Sequence, residues 1–378
     1  MIGWREAMEG ALYGPEGFYR TQSPRRHFRT SVHVSPVFAE AVARLLATVD
    51  TALGGPARLD FVDMGAGDGA LAEGVLAALP EELRARVRAT AVEVAPRPSR
   101  TVPGLVWATE PPARITGLVV ANEWLDNVPL DLAVRTPEGP RLVLVDGSGR
   151  EGTGREPDPA DLAWLVRWWP DSRWPEGERA EIGRTRDVAW AGLVDRLDAG
   201  LAVAADYAHD AETRRPTLTG YRDGLAVAPV PDGTCDITAH VALDSAAEAA
   251  VRAAVEQAVS PGARPTGETA VKAASRGVAE AGSVPATAFP RLPLVTVRTT
   301  QRAALRALGV TGARPPRELA VADPRAYLRS LTRAGESAEL TDPGGLGGFG
   351  WLMQSRGVRL DGFAEAEPRA TAAHGLTG

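Results

Sequence analysis

Residues 59–69 read Leu59-Asp60-Phe61-Val62-Asp63-Met64-Gly65-Ala66-Gly67-Asp68-Gly69. A short apolar run breaks into three alternating glycines, and Leu71 to Leu79 then follows at helical spacing. A buried strand that turns through glycine into a helix is the opening of a βαβ unit, from which parallel α/β sheets are built. Working outward, strands are expected at Arg88 to Val94, at Gly117 to Ala121 and at Leu201 to Ala205, the last ending on Asp206. A hairpin is expected over Leu130 to Arg135 and Arg141 to Val145. Upstream, Ser35 and Pro36 form a cap and first helical residue, and Phe38, Ala41, Val42, Leu45 and Val49 recur on one face. Downstream, Leu294 to Thr299 reads as a strand, Gln301 to Leu308 as a helix and Trp351 to Ser355 as a last strand.

The expected fold is a doubly wound, Rossmann-like α/β sheet with an inserted, mainly helical subdomain on the substrate side. Residues 1–55 form a helical lead-in and lid over the ligand, and 56–146 the first part of the core. Residues 147–198 form the insert, where Trp164, Trp168, Trp169 and Trp174 crowd together; Ile182, Ala189, Leu193 and Leu197 share a helix face, with Gly200 as its C-terminal cap. The core continues over 199–245 with acceptor-side loops, is interrupted by an Ala-rich, low-complexity insertion at 246–290, resumes over 291–360, and ends in a frayed tail at 361–378.

The chain has 378 residues, 44% of them apolar, enough for a large core and a second, smaller one. A single cysteine, Cys235, and five scattered histidines exclude a disulfide framework and a Cys-rich zinc site, so no metal is expected. No segment reads as a leader or membrane span, which places the protein in the cytoplasm. The net charge of −6 disfavours bare nucleic acid and suits a small molecule or a basic protein segment. Lys272 is the only lysine, so a phosphate-loop GK signature is absent.

The glycine turn lets backbone amides approach a ligand. Gly65, Gly67 and Ala70 also satisfy a dinucleotide fingerprint, with Glu93 at the end of the next strand, so the loop alone does not choose the cofactor. The strict alternation of Gly65, Gly67 and Gly69 and the acidic Asp63 before them lean toward S-adenosylmethionine, because Asp63 would repel a pyrophosphate and attract an ammonium. Glu93 would then accept from both ribose hydroxyls. A second constellation, Ala121-Asn122-Glu123-Trp124-Leu125-Asp126-Asn127-Val128-Pro129, follows a strand that should lie across the switch point, where ligands of open α/β sheets sit. Asp206-Tyr207-Ala208-His209 ends another strand at the same edge. The candidate catalytic residues are Glu123, Asp126, Asp206 and His209.

These residues resemble the MidA-like class I methyltransferases, whose mitochondrial members are protein arginine methyltransferases assisting respiratory complex I assembly. The likeness runs in order through Ala11 to Tyr19, Thr30-Ser31, Ser35 to Phe38, the glycine loop, Val92 to Pro96, Ala121 to Pro129 and Asp206 to His209. It continues through Thr217 to Arg222, Cys235 to Val241, Thr300-Gln301 and Asp342 to Gly347. The resemblance implies that Thr30, Ser31 and Asn122 join the cofactor site, and that Asp206, Asp236, Thr238 and His240 line the substrate side. Arg26-His27-Phe28 stands where the family has Gly-Asp-Phe, and Trp124 to Pro129 where it has Phe-Phe-Asp-Ala-Leu-Pro. Asp206 to His209 reads Asp-Tyr-Ala-His against Asp-Tyr-Gly-His. These departures touch the acceptor side more than the cofactor side.

Methyl transfer from a sulfonium needs alignment and exclusion of water more than acid or base strength. An arginine acceptor would need carboxylates to hold it, with Glu123, Asp126 and Asp206 as the clamp; a small hydroxyl or carboxyl acceptor would need one base, His209 or Asp206. A nicotinamide-dependent oxidoreductase and a non-catalytic scaffold that keeps the fold are the rival readings. Members of the family can form homodimers, and the tryptophans fit either such an interface or a private core.

Overall fold

The computed structural model describes residues 1–22, 30–98, 102–170, 174–259 and 292–363. Its centre is a seven-stranded sheet of β1 (Leu59–Met64), β2 (Val87–Val92), β3 (Leu105–Ala108), β4 (Ile115–Asn122), β5 (Leu197–Asp206), β6 (Leu294–Thr300) and β7 (Gly350–Arg356). The order across the sheet is β6-β7-β5-β4-β1-β2-β3. The run from β5 to β3 is parallel, while β7 lies antiparallel between β5 and β6. The chain winds one way from β1 through β3 and the other way from β4, so the switch point falls between β1 and β4.

Helices cover both faces. On one side α1 (Pro36–Ala52), α2 (Ala70–Ala78) and α5 (Gln301–Ala307) close a core with Phe38, Leu45, Phe61, Val75, Leu118 and Trp351. On the other, α3 (Arg184–Asp195) brings Trp190 and Leu193, and α4 (Leu243–Val259) brings Ala246 and Ala250, onto Val62, Val119 and Leu352. The start of α1 follows from its cap: Ser35 Oγ accepts the Val37 N–H at 3.1 Å, with Pro36 at the first helical position. Trp190 Nε1 donates to Gln354 Oε1 at 2.7 Å, which satisfies its polar edge inside the core.

Gly200 does not cap a helix. α3 ends at Asp195, and Gly200 lies within β5 beside Gly117 of β4, in a left-handed conformation where a Cβ would stand 1.9 Å from the Gly117 carbonyl oxygen. The close approach of three strands requires glycine there.

The insert also differs from expectation. Asp131–Thr136, Gly139–Val145, Glu151–Thr153 and Arg179–Ile182 form a five-stranded sheet with Ile2–Gly3. The insert therefore begins at the hairpin counted above with the core, and it is built as much on strands as on helices. Helical spacing among its tryptophans holds only over the helix Pro159–Trp168. Trp164, Trp169 and Trp174 pack with Ala133, Leu165 and Ile182 in the chain's own core. The N-terminal helix Trp4–Tyr13 packs on the same sheet through Trp4, Met8 and Leu12. A three-stranded sheet of Thr219–Arg222, Leu225–Val227 and Asp236–Thr238 completes this half. Of the Ala-rich insertion, residues up to 259 form the end of α4; Lys272, Arg26 to Phe28 and the tail beyond 363 lie outside the described residues. Among the described residues no helix is long and apolar enough to cross a membrane.

Candidate active site

Register builds the site. Met64 pairs with Val92 and with Ala121, and Asn122 pairs with Ala205. The carboxyl ends of β2, β1, β4 and β5 thus stand in one row, and Glu93, Gly65, Glu123 and Asp206 follow along the same sheet edge.

At the glycine loop, Gly65, Gly67 and Gly69 all have positive φ, of 71°, 55° and 81°. Any other residue would be strained at each. A Cβ on Gly65 would stand 2.8 Å from Trp124 Cδ1, and one on Gly69 2.9 Å from Trp107 Cζ2, whereas around Gly67 the space is open. Two glycines are packed and the third leaves room for a ligand. Glu93 ties the loop together: Oε2 accepts the Gly67 N–H at 2.8 Å, and Oε1 accepts from Val94 and Ala95.

Asp63 is buried, and its Oδ2 accepts the Ala72 N–H at 3.2 Å in the first turn of α2. One oxygen thus serves the helix, a role not anticipated from its charge. Burial pushes its carboxyl up to about 7, opposed by that hydrogen bond, with Glu93 and Asp68 adding repulsion.

Asn122 and Glu123 join the lead-in segment to the sheet. Glu123 Oε1 accepts from Asn122 Nδ2 at 2.9 Å and from the Ser31 N–H at 3.0 Å. Ser31 is buried against Gln301, and Thr30 Oγ1 lies 2.7 Å from His33 Nδ1. Glu123 has φ of 52°, a conformation rare outside glycine that is found disproportionately at functional turns. Burial pushes its carboxyl up to about 8; the Ser31 N–H opposes the shift and the charge of Asp126 adds to it. Asn122 Oδ1 and Trp107 Nε1 are buried without a hydrogen-bond partner among the described residues. An unmet acceptor and an unmet donor beside an open glycine turn fit a polar, nucleoside-bearing ligand.

Next to this lies a cavity of about 40 Å³ lined by Glu123, Asp126, Asn127, Tyr207, Tyr221 and Asp236, with Thr238. Thr238 Oγ1 donates to Asp126 Oδ2 at 3.0 Å. Tyr19 Oη and Asn127 Nδ2 both donate to Asp236 Oδ1 at 3.0 Å. Burial, reinforced by Asp126, pushes Asp236 up to about 7. Asp206 is fully buried and stands behind Asp126 rather than on the cavity wall. His240 stacks on Tyr207 at 5.5 Å, and Tyr207 also meets Phe349 at 4.2 Å.

His209 is not brought to this cavity. It sits edge-on to Trp169, 6.2 Å away, where Arg214 Nε donates to its Nδ1 at 3.3 Å. Burial and the Arg214 charge push it down to about 3, so it stays neutral with one nitrogen committed. Tyr19, Asn127, Tyr221 and Arg186 were assigned no role above. Tyrosines at 13 and 19 have no spacing that points to an acidic cavity; only the fold brings their hydroxyls to the Asn127 carbonyl and the Asp236 carboxyl behind its wall.

Two crystal structures from Burkholderia thailandensis share this fold. One is a COG1565 superfamily member with S-adenosyl-homocysteine bound, at 24% identity over 97% of this chain and 91% of that chain, with a TM-score of 0.71. The other, an uncharacterized COG1565 superfamily protein, has 24% identity, 97% and 90% coverage and a TM-score of 0.69. No curated protein matches the chain. Residues 41–260, more than half of the chain, match the family described as "Putative S-adenosyl-L-methionine-dependent methyltransferase". The chain belongs to that family, whose cofactor is S-adenosyl-L-methionine and not a nicotinamide nucleotide.

Proposed function

We propose that the protein is a class I, MidA-like methyltransferase that methylates the guanidinium of a protein arginine. The observation that carries this reading is the cavity beside Asn122, where Glu123, Asp126 and Asp236 converge with Tyr207 and Tyr221. Carboxylates pair with a guanidinium and tyrosine faces stack on it.

When bound, S-adenosylmethionine supplies a methyl group already activated on a sulfonium. Gly65, Gly67 and Gly69 with Glu93 would hold its nucleoside, and Asn122 Oδ1 would accept from one of its N–H groups. The chain's own residues then orient the acceptor and take its proton. The acceptor nitrogen, on gaining the methyl group, would lose one proton, and Asp126 would take it. Tyr207 and Tyr221 wall the cavity and would limit the water that reaches a bound acceptor. A basic protein segment is the expected partner, in a cytoplasmic setting, and two copies pairing belongs to the same reading.

The test is calorimetric titration with S-adenosylmethionine, S-adenosylhomocysteine and NAD, followed by radiolabelled methyl transfer to arginine-rich peptides and to small guanidines. Binding of the first two with label on arginine supports the proposal. Label on a small guanidine alone redirects it to a small-molecule acceptor, and binding without any transfer favours a scaffold.

A further inference from the structure

Arg186 is buried in the first turn of α3, and among the described residues its guanidinium bonds to backbone carbonyls and to no carboxylate. It is wrapped by backbone instead. Nε donates to the Val128 carbonyl at 3.0 Å, Nη1 to those of Ala239 and His240 at 2.8 and 3.0 Å, and Nη2 to that of Asp126. These carbonyls belong to the turn that carries Asp126 and to the loop that follows the strand of Thr238, and the Ala239 N–H also donates to the Asp126 carbonyl at 3.2 Å. One cation thus clasps both loops, and Thr185 of the same turn adds a bond to the Pro129 carbonyl at 2.6 Å.

Behind this clasp Asp206 Oδ1 accepts the Asp126 N–H at 3.3 Å, which brings the two residues side by side in the buried interior. With both ionised, Asp126 Oδ1 and Asp206 Oδ2 are buried and have no donor among the described residues. Two neighbouring buried carboxylates cannot both stay charged, so the pair holds one proton between them. Their surroundings are unequal. Asp126 has the Thr238 hydroxyl and the nearby Arg186 charge in favour of ionisation, whereas Asp206, which the Arg186 charge also reaches, accepts only the Asp126 N–H among the described residues and faces the charges of Asp126 and Glu123. Around the pair, Asp236, Glu181 and the hydroxyls of Tyr13 and Tyr19 add no further cation, and His240 is pushed down to about 4 and stays neutral.

We propose that Asp126 and Asp206 share one proton that resides on Asp206, and that Arg186 is the positioning residue that keeps the negative charge on Asp126, at the cavity wall. The proposal rests on the cavity being the acceptor site, because it explains how a buried carboxylate stays available to take a proton there. The fully buried Asp206 stores a proton out of reach of solvent.

The test is carboxyl ¹³C NMR of aspartate-labelled protein at neutral pH, with the two resonances assigned from Asp126→Asn and Asp206→Asn. It needs neither cofactor nor acceptor, so its outcome is separate from that of the methyltransferase reading. The expected spectrum has Asp206 at a protonated shift and Asp126 at an ionised one; the reverse assignment, or two ionised resonances, overturns the proposal. In Arg186→Met the Asp126 resonance is expected to move toward the protonated position. Should that variant fail to fold, Arg186→Lys, which lacks the planar fork, is expected to move it in the same direction by less. An Asp126 resonance that stays put in the folded variants removes Arg186 from the mechanism.

Discussion

The carboxylate of Asp206 accepts the backbone N–H of Asp126 at 3.3 Å, so the residue behind the cavity wall also fixes the loop that forms the wall. The two aspartates therefore differ in what an amide can replace. Asp206→Asn keeps an acceptor for that N–H and offers a permanent donor to Asp126, as a protonated Asp206 does. It is expected to bind methylguanidinium about as well as the wild type, whereas Asp126→Asn loses a charge-assisted partner, about 1.5–3 kcal/mol or roughly tenfold to hundredfold in affinity. Calorimetry on protein loaded with S-adenosylhomocysteine measures both, and equal losses contradict the assignment.

The glycine loop separates strain from contact. Gly67→Ala meets open space but must hold φ of 55°, a cost of about 1–2 kcal/mol. Gly65→Ala bears the same strain and also drives a methyl to 2.8 Å from Trp124, so it should unfold at lower urea and displace that ring. Urea midpoints and tryptophan emission test the order; a less stable Gly67→Ala would mean that the Trp124 contact is soft.

Much of this was legible in the chain. β1 falls on the stretch Leu59 to Met64 as read, because a run of apolar residues closed by glycines has few other uses. The alignment of Gly65, Glu93, Asn122 and Asp206 on one edge follows once those strands are parallel. What local pattern could not yield was anything made by pairing across long separations. The strand Arg179–Ile182 is defined by its partner Asp131–Thr136, some fifty positions away. Without that partner its tryptophan neighbours looked helical, and Gly200 looked like a cap until Gly117 stood against it. His209 sits three residues from Asp206, yet the chain turns it to pair beside Ala242, away from the cavity. Arg186 gave no sequence signal, since its acceptors are backbone carbonyls.

Stability should fall as the pH rises from about 6.5 to about 8. Asp63 and Asp236 keep their protons to about 7 in the folded chain, and Glu123 to about 8, while the unfolded chain has already released them. The folded state thus binds more protons across this window, and the stability these groups lend at lower pH is lost. His209 and His240 act in the opposite sense, being neutral when folded, but their contribution is complete once the unfolded chain's histidines have deprotonated near about 6.5. The melting temperature of the ligand-free protein should drop across the window, and drop less in Asp236→Asn. A rising melting temperature there would show that these carboxyls are ionised in the native state.

Asn122 offers the most direct test of the cofactor site. Its Nδ2 is committed to Glu123 and its Oδ1 is buried without a donor, so the carbonyl is the part of the side chain left for a ligand. Asn122→Asp keeps an acceptor but sets a second carboxylate against Glu123 and removes the donor between them. Asn122→Ala removes both and is expected to weaken S-adenosylhomocysteine binding by about 1–3 kcal/mol, roughly fivefold to more than a hundredfold. Because the side chain lies at the end of a strand that pairs on both sides, the fold should survive, as circular dichroism would show. Undiminished binding by Asn122→Ala would move the cofactor's polar contacts away from β4, leaving the buried Oδ1 to serve the acceptor instead.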